Sequence, residues 1–223
     1  PCKGRYTPLW LKIQKEEIQM RNLKRALSLA LAAIMLIGMM VVSASATGLD
    51  DFSDKDKVVN KDAVSMLVSL GIIEGKPDGS YGPTENVDRA QMAKMLSVIM
   101  NKGVDNSALY QSVNSGLVDV NTNWAKGHIN YCYTTGIIAG RGNGKFDPDA
   151  GVTGSEAAKM LLVAAGYDPA IEGLTGTDWE INTNALASKL GIFRNFKGSV
   201  AEPLSRDNAA LLIYNALDVE MIE

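Results

Sequence analysis

One stretch of this chain occurs twice, and that repetition limits what the chain can fold into. LGIIEGKPDGSYGPTENVDRAQMAKML (Leu70–Leu96) aligns without a gap with TGIIAGRGNGKFDPDAGVTGSEAAKML (Thr135–Leu161), Gly71 falling on Gly136, Pro83 on Pro148 and Leu96 on Leu161. A third, shorter copy, LGIFRNFKGSVAEPLSRDNAALLI (Leu190–Ile213), keeps the Gly-Ile start, Gly198 and the closing helical pattern but lacks Phe-x-Pro. Its Gly191 follows Gly136 more closely than Gly136 follows Gly71. Copies of one sequence share one local structure, and a unit this short buries its apolar face only against its neighbours.

Each copy reads as helix, glycine turn, short extended segment, helix. Asp62–Leu70, Ala125–Thr135 and Asn182–Leu190 carry apolar residues at helical spacing, Val64, Leu67 and Val68 in the first. Gly71, Gly136 and Gly191 follow these helices, where a left-handed residue is wanted and glycine carries no Cβ penalty. Asp88, Thr153 and Ser205 are expected to cap the second helices. Gln91 and Glu156, three positions on, complete capping boxes, and Asn208 makes a weaker one. Asn106–Ser115 is expected to add a helix-like stretch between the first two copies, with linkers near 102–105 and 169–177. The fold class is thus mainly α, with extended pieces confined to the turns.

Residues 20–46 read as a secretory signal peptide: Arg21, Lys24 and Arg25, an uncharged apolar run from Ala26 to Val42, then Ala44-Ser45-Ala46. Residues 1–19 precede Met20 and are expected to be a translated non-coding leader. Fifteen of the 22 Lys and Arg and 23 of the 25 Asp and Glu lie after Ala46, so the exported part carries a net charge of about −8, which argues against nucleic acid as a partner. Cys2 lies in the leader, so Cys132 is the one cysteine of the exported part and makes no internal disulfide. On its apolar helix face it is expected to be a buried thiol.

Catalytic and metal chemistry find little footing. Gly140, Gly142 and Gly144 before Lys145 suggest a phosphate loop, but Phe146 stands where a Walker motif has Ser or Thr. Asp119, Asn121 and Asn123 begin like a calcium loop, yet Trp124 replaces its glycine and Asn130 its bidentate glutamate. His128, the only histidine, is read as a surface or half-buried structural residue. No enzyme, cofactor or metal site is expected. Trp124 and Trp179 stand at equivalent positions ahead of their turn glycines, as do Arg89 and Arg206 directly after their caps; Val59 fills the Trp position in the first copy. A cation at a helix start opposes the macrodipole, which suggests a use in carboxylate recognition; the alternatives are an internal ion pair for Arg and plain core for Trp.

Together these residues resemble the S-layer homology domain family. The second copy is the best match: Asp119, Trp124-Ala125, Gly136-Ile137-Ile138-Ala139-Gly140, Asn143-Gly144-Lys145-Phe146-Asp147-Pro148 and Val152-Thr153-Gly154-Ser155-Glu156. The first supplies Asp54, Gly71-Ile72-Ile73-Glu74-Gly75, Asp78-Gly79-Ser80-Tyr81-Gly82-Pro83 and Val87-Asp88-Arg89-Ala90-Gln91; the third supplies Trp179, Gly191-Ile192 and Leu204-Ser205-Arg206-Asp207-Asn208. The resemblance implies three repeats, 47–103, 104–168 and 169–223, in a pseudo-threefold helical prism whose grooves bind secondary cell-wall polysaccharide, commonly pyruvylated. It implies a non-enzymatic anchor at the cell wall or S-layer surface, with no membrane contact after signal cleavage. The competing readings are a structural protein that self-assembles through the repeats and the attachment part of a larger wall-active enzyme. The implied carbohydrate-binding residues are Arg89, Arg206, Trp124, Trp179, Gly71, Gly136, Asp54 and Asp119. Replacing either Arg is expected to weaken binding and spare the fold. Gly154 takes the Arg position in the second copy, so that copy's groove is expected to be degenerate.

Overall fold

The computed structural model describes residues 48–222; the expected leader and signal peptide lie outside them. Six α-helices occur among the described residues: α1 (Lys61–Ser69), α2 (Arg89–Met100), α3 (Lys126–Thr134), α4 (Gly154–Ala164), α5 (Trp179–Lys189) and α6 (Arg206–Ala216). There is no β-strand among these residues, and no helix is long and apolar enough to cross a membrane. The stretch expected to be helical around Asn106–Ser115 is only a short 3-10 turn, Ser107–Tyr110.

The turns form as the sequence dictates. After α1 the Ile72 amide donates to the Leu67 carbonyl (2.9 Å), after α3 Ile137 donates to Cys132 (2.9 Å), and after α5 Ile192 donates to Ala187 (2.9 Å). Each reverses the chain through a left-handed glycine, Gly71 at φ 68°, Gly136 at φ 78° and Gly191 at φ 84°. The second helices start on side-chain caps from Asp88, Thr153 and Ser205 to the amides of Gln91, Glu156 and Asn208. Full capping boxes form at the first two; Asn208 does not return the bond.

What joins the copies is a closed cycle of backbone hydrogen bonds. The Val87 amide donates to Leu204 (2.9 Å), the Leu204 amide to Val152 (2.8 Å), and the Val152 amide back to Val87 (2.9 Å). All three side chains are buried at this centre. Around it each second helix packs on the first helix of the next copy: α2 on α3, α4 on α5, and α6 on α1. The core between them is largely aliphatic, with Leu67, Leu96, Ile129, Leu162 and Leu212 fully buried. Each such side chain contributes about 1.5–3 kcal/mol relative to an exposed one.

Contacts between copies also satisfy the helix starts. Arg89 and Ala90 amides donate to Ala150 and Pro148 (both 2.9 Å), and Arg206 and Asp207 amides to Glu85 (2.7 Å) and Pro83 (3.1 Å). Ser155 donates to Val200 (2.9 Å). These amides would otherwise be orphaned, so the extended segment of one copy caps the helix of another. They are therefore not free to receive an anion.

Candidate functional site

The site residues read from sequence divide into those that hold the turns and those that line a groove. Asp54 accepts from the amides of Tyr81 (2.7 Å) and Gly82 (2.9 Å). Asp119, its counterpart in the second copy, accepts from Phe146 (2.9 Å) and Asp147 (2.8 Å). Partial burial raises both carboxyl pKa values, but the amide hydrogen bonds outweigh it and hold them below the ordinary aspartate range. Gly71 and Gly136 act through backbone conformation alone.

Arg89 and Arg206 are clasps between copies. Arg89 is 4 % exposed; its Nε donates to the Phe146 carbonyl (2.8 Å), its Nη2 to Ala139 (2.9 Å), and the guanidinium lies 4.4 Å over the Phe146 ring. Arg206 repeats this on the first copy's turn: Nε to Tyr81 (2.8 Å), Nη2 to Glu74 (2.9 Å), 4.9 Å over the Tyr81 ring. The planar fork fits two carbonyls and a ring face at once, which Lys does not. The Arg is thus neither spare nor merely an ion pair, since it also ties one copy to the turn of another.

The clasp runs across copies, so the Arg position that Gly154 fills belongs with the turn of the third copy and not with that of its own. Arg89, from the first copy, serves the turn of the second, so the best-preserved turn has its Arg. Gly154 instead faces the third copy, where an added Cβ would lie 2.8 Å from the Val200 Cα.

One groove gathers the remaining features. Arg89, Ala139, Arg141, Glu156, Lys159 and Trp179 are among the residues lining a cavity of about 290 Å³ between the second turn, α4 and the start of α5. Arg141 Nη2 pairs with Glu156 at 2.7 Å, and Arg89 Nη1 lies 3.6 Å from the same oxygen. The Lys159 ammonium sits 5.1 Å over the Trp179 ring and has no carboxylate within 4.0 Å among the described residues. Burial lowers its pKa. Three cations and one carboxylate line the cavity beside an aromatic ring, an arrangement that takes an anion carried on an apolar face. Lys159 escapes a reading of the sequence because Trp179 comes from another copy, and Arg141 because its partner Glu156 lies across the turn on α4; Lys94 and Lys159 matching across the repeats was the available signal.

Trp124, the equivalent of Trp179, is 57 % exposed and stands edge-on to His128, 6.4 Å between ring centres. His128 lies deeper than expected, 5 % exposed, with Nδ1 2.6 Å from Ser97 Oγ and its pKa lowered by burial. Cys132 is fully buried, and burial pushes its thiol up to about 12.

The S-layer homology domain model matches residues 51–93 and 118–158, so these two parts of the chain are S-layer homology segments. The chain is 31% identical over 206 residues to a cell surface protein of Thermoanaerobacter kivui, covering 92% of this chain and 26% of that protein. It is 28% identical over 205 residues to the middle cell wall protein of Brevibacillus brevis, 90% of this chain and 18% of the relative. It is also 30% identical over 173 residues to the exoglucanase XynX of Acetivibrio thermocellus, 71% of this chain and 15% of that enzyme. The chain spans about a quarter or less of the length of these relatives.

Proposed function

We propose that the chain is a non-catalytic anchoring module at the cell surface, which binds an anionic wall polysaccharide non-covalently. Its three repeats form a pseudo-threefold prism, a reading supported by the closed Val87–Leu204–Val152 hydrogen-bond cycle. The third repeat, beyond the matched segments, is supported by its glycine turn, its Ser205 cap and its Arg206 clasp.

The observation that carries the binding reading is Lys159, unpaired by any carboxylate among the described residues, over the face of Trp179 beside Arg89 and Arg141. An indole face packs against the C–H face of a sugar ring. The ammonium and the Arg141 guanidinium pair with a carboxylate on that sugar, such as a pyruvate ketal. A relative named as an exoglucanase shares this region with relatives named as surface and wall proteins, which supports attachment as its role and favours it over catalysis.

The test is retention of residues 47–223 on purified sacculi before and after removal of the attached polysaccharide. Binding is expected to vanish with the polysaccharide, and Lys159→Ala or Trp179→Ala to weaken it on the order of tenfold or more while leaving the melting temperature within a few degrees. Equal retention on stripped sacculi overturns the reading.

A further inference from the structure

The repeat creates a second place with the same groove plan, and there the chain holds its own carboxylate. In the open groove, Ala139 is fixed by Arg89, Lys159 lies on α4, and Trp179 starts α5. In the sister groove, Glu74 takes the place of Ala139, Lys94 that of Lys159, and Trp124 that of Trp179. The backbone matches, because Arg206 Nη2 donates to the Glu74 carbonyl at 2.9 Å, as Arg89 Nη2 donates to that of Ala139 at 2.9 Å. The side chain differs: Glu74 Oε2 pairs with Lys94 Nζ at 2.8 Å. The remaining cation is also diverted, since Lys76, in the place of Arg141, pairs with Glu85. Asp105, 3.7 Å from His128 Nε2, adds a second negative charge close by.

Resting on the reading of the open groove as an anionic-glycan site, we propose that Glu74 is a built-in occupant of the sister groove: its carboxylate holds Lys94 where a ligand's carboxylate would pair. The third place lacks the pattern altogether. Gly154, Leu211 and Val59 stand where the open groove has Arg89, Lys159 and Trp179. The chain therefore offers one working groove out of three, and one residue decides between one and two. Glu74 is 68 % exposed at its side chain, so its negative charge faces the groove mouth and also repels an incoming carboxylate.

The experiment is calorimetric titration of the exported protein with short oligosaccharide released from the walls that retain it, using Glu74→Ala and the isosteric, uncharged Glu74→Gln. Wild type is expected to bind at one site, lost in Lys159→Ala. Both Glu74 variants are expected to bind at two, the second within about tenfold of the first in affinity, kept in a Glu74→Gln, Lys159→Ala double variant and lost when Lys94→Ala is added. Two sites in wild type, or one site in both Glu74 variants, overturns the proposal. Absence of binding in wild type and in every variant overturns the groove reading itself, and the proposal with it.

Discussion

Arg89 changes meaning between its sequence and its surroundings. At a helix start it looks like a free cation held for a ligand. In the fold it is 4 % exposed and donates to two carbonyls of another copy. Burial of a charge is costly unless its donors are satisfied, and here backbone carbonyls and Glu156 satisfy them. Arg89→Ala would leave the Phe146 and Ala139 carbonyls without the donors that now satisfy them. It is expected to destabilise the fold by about 2–4 kcal/mol, with Arg89→Lys giving only partial rescue. Urea unfolding measures this; an unchanged midpoint for Arg89→Ala would contradict the clasp. Lys159 makes the converse point. Its sequence context is an ordinary helix, and only the arrival of Trp179 from the next copy makes it a groove residue.

At the level of elements, the helix–turn–helix unit was readable because its signals are local. The left-handed glycine after each first helix and the cap before each second helix depend on a few adjacent residues. The bounds of α1, α3 and α5 lie close to those expected, Asn182 for the start of α5 being the furthest off. The 106–115 stretch closes as one 3-10 turn against α3, where Asn130 Nδ2 donates to the Tyr110 and Val113 carbonyls that a continuing helix would have used itself. Gly154 belongs to this scale. It starts α4 where Val200 of the third copy comes close, so an added Cβ meets backbone at 2.8 Å. Gly154→Ala is expected to cost about 1–3 kcal/mol, against nearly nothing for a helix-start glycine in the open. Thermal melts of the variant decide; a gain in melting temperature would mean that α4 and the 200 loop are not so closely packed.

Across the whole molecule the three seams are alike in plan and unlike in chemistry. The first and second turns are each held by an aspartate, Asp54 and Asp119, and clasped by an Arg. At the corresponding position of the third stands Leu174, fully buried. Both aspartates titrate below their unfolded value, so the stability they give is present above about pH 4 and is lost as pH falls through their folded values. Asp119→Asn should lower stability at neutral pH and flatten the fall in stability on the acid side, as read from unfolding free energies between about pH 2 and pH 6. An acid limb as steep as that of wild type would remove Asp119 from the account.

The sequence alone determined the repeat, its helices, its turns and its caps, because each of these is decided by residues a few positions apart. Tertiary structure alone decided which copy's Arg meets which turn, and so which side chains share the cavity beside Trp179. Those partners, Arg89 with Ala139 and Arg206 with Glu74, are distant in the chain and are brought together by the packing of one copy on another, which has no trace in the spacing within any one of them. The stretch around Gly154 seemed from its own residues to line the poorest groove. In the folded chain Gly154 lies against Val200 of the third copy, and the turn of its own copy takes its Arg from the copy before it.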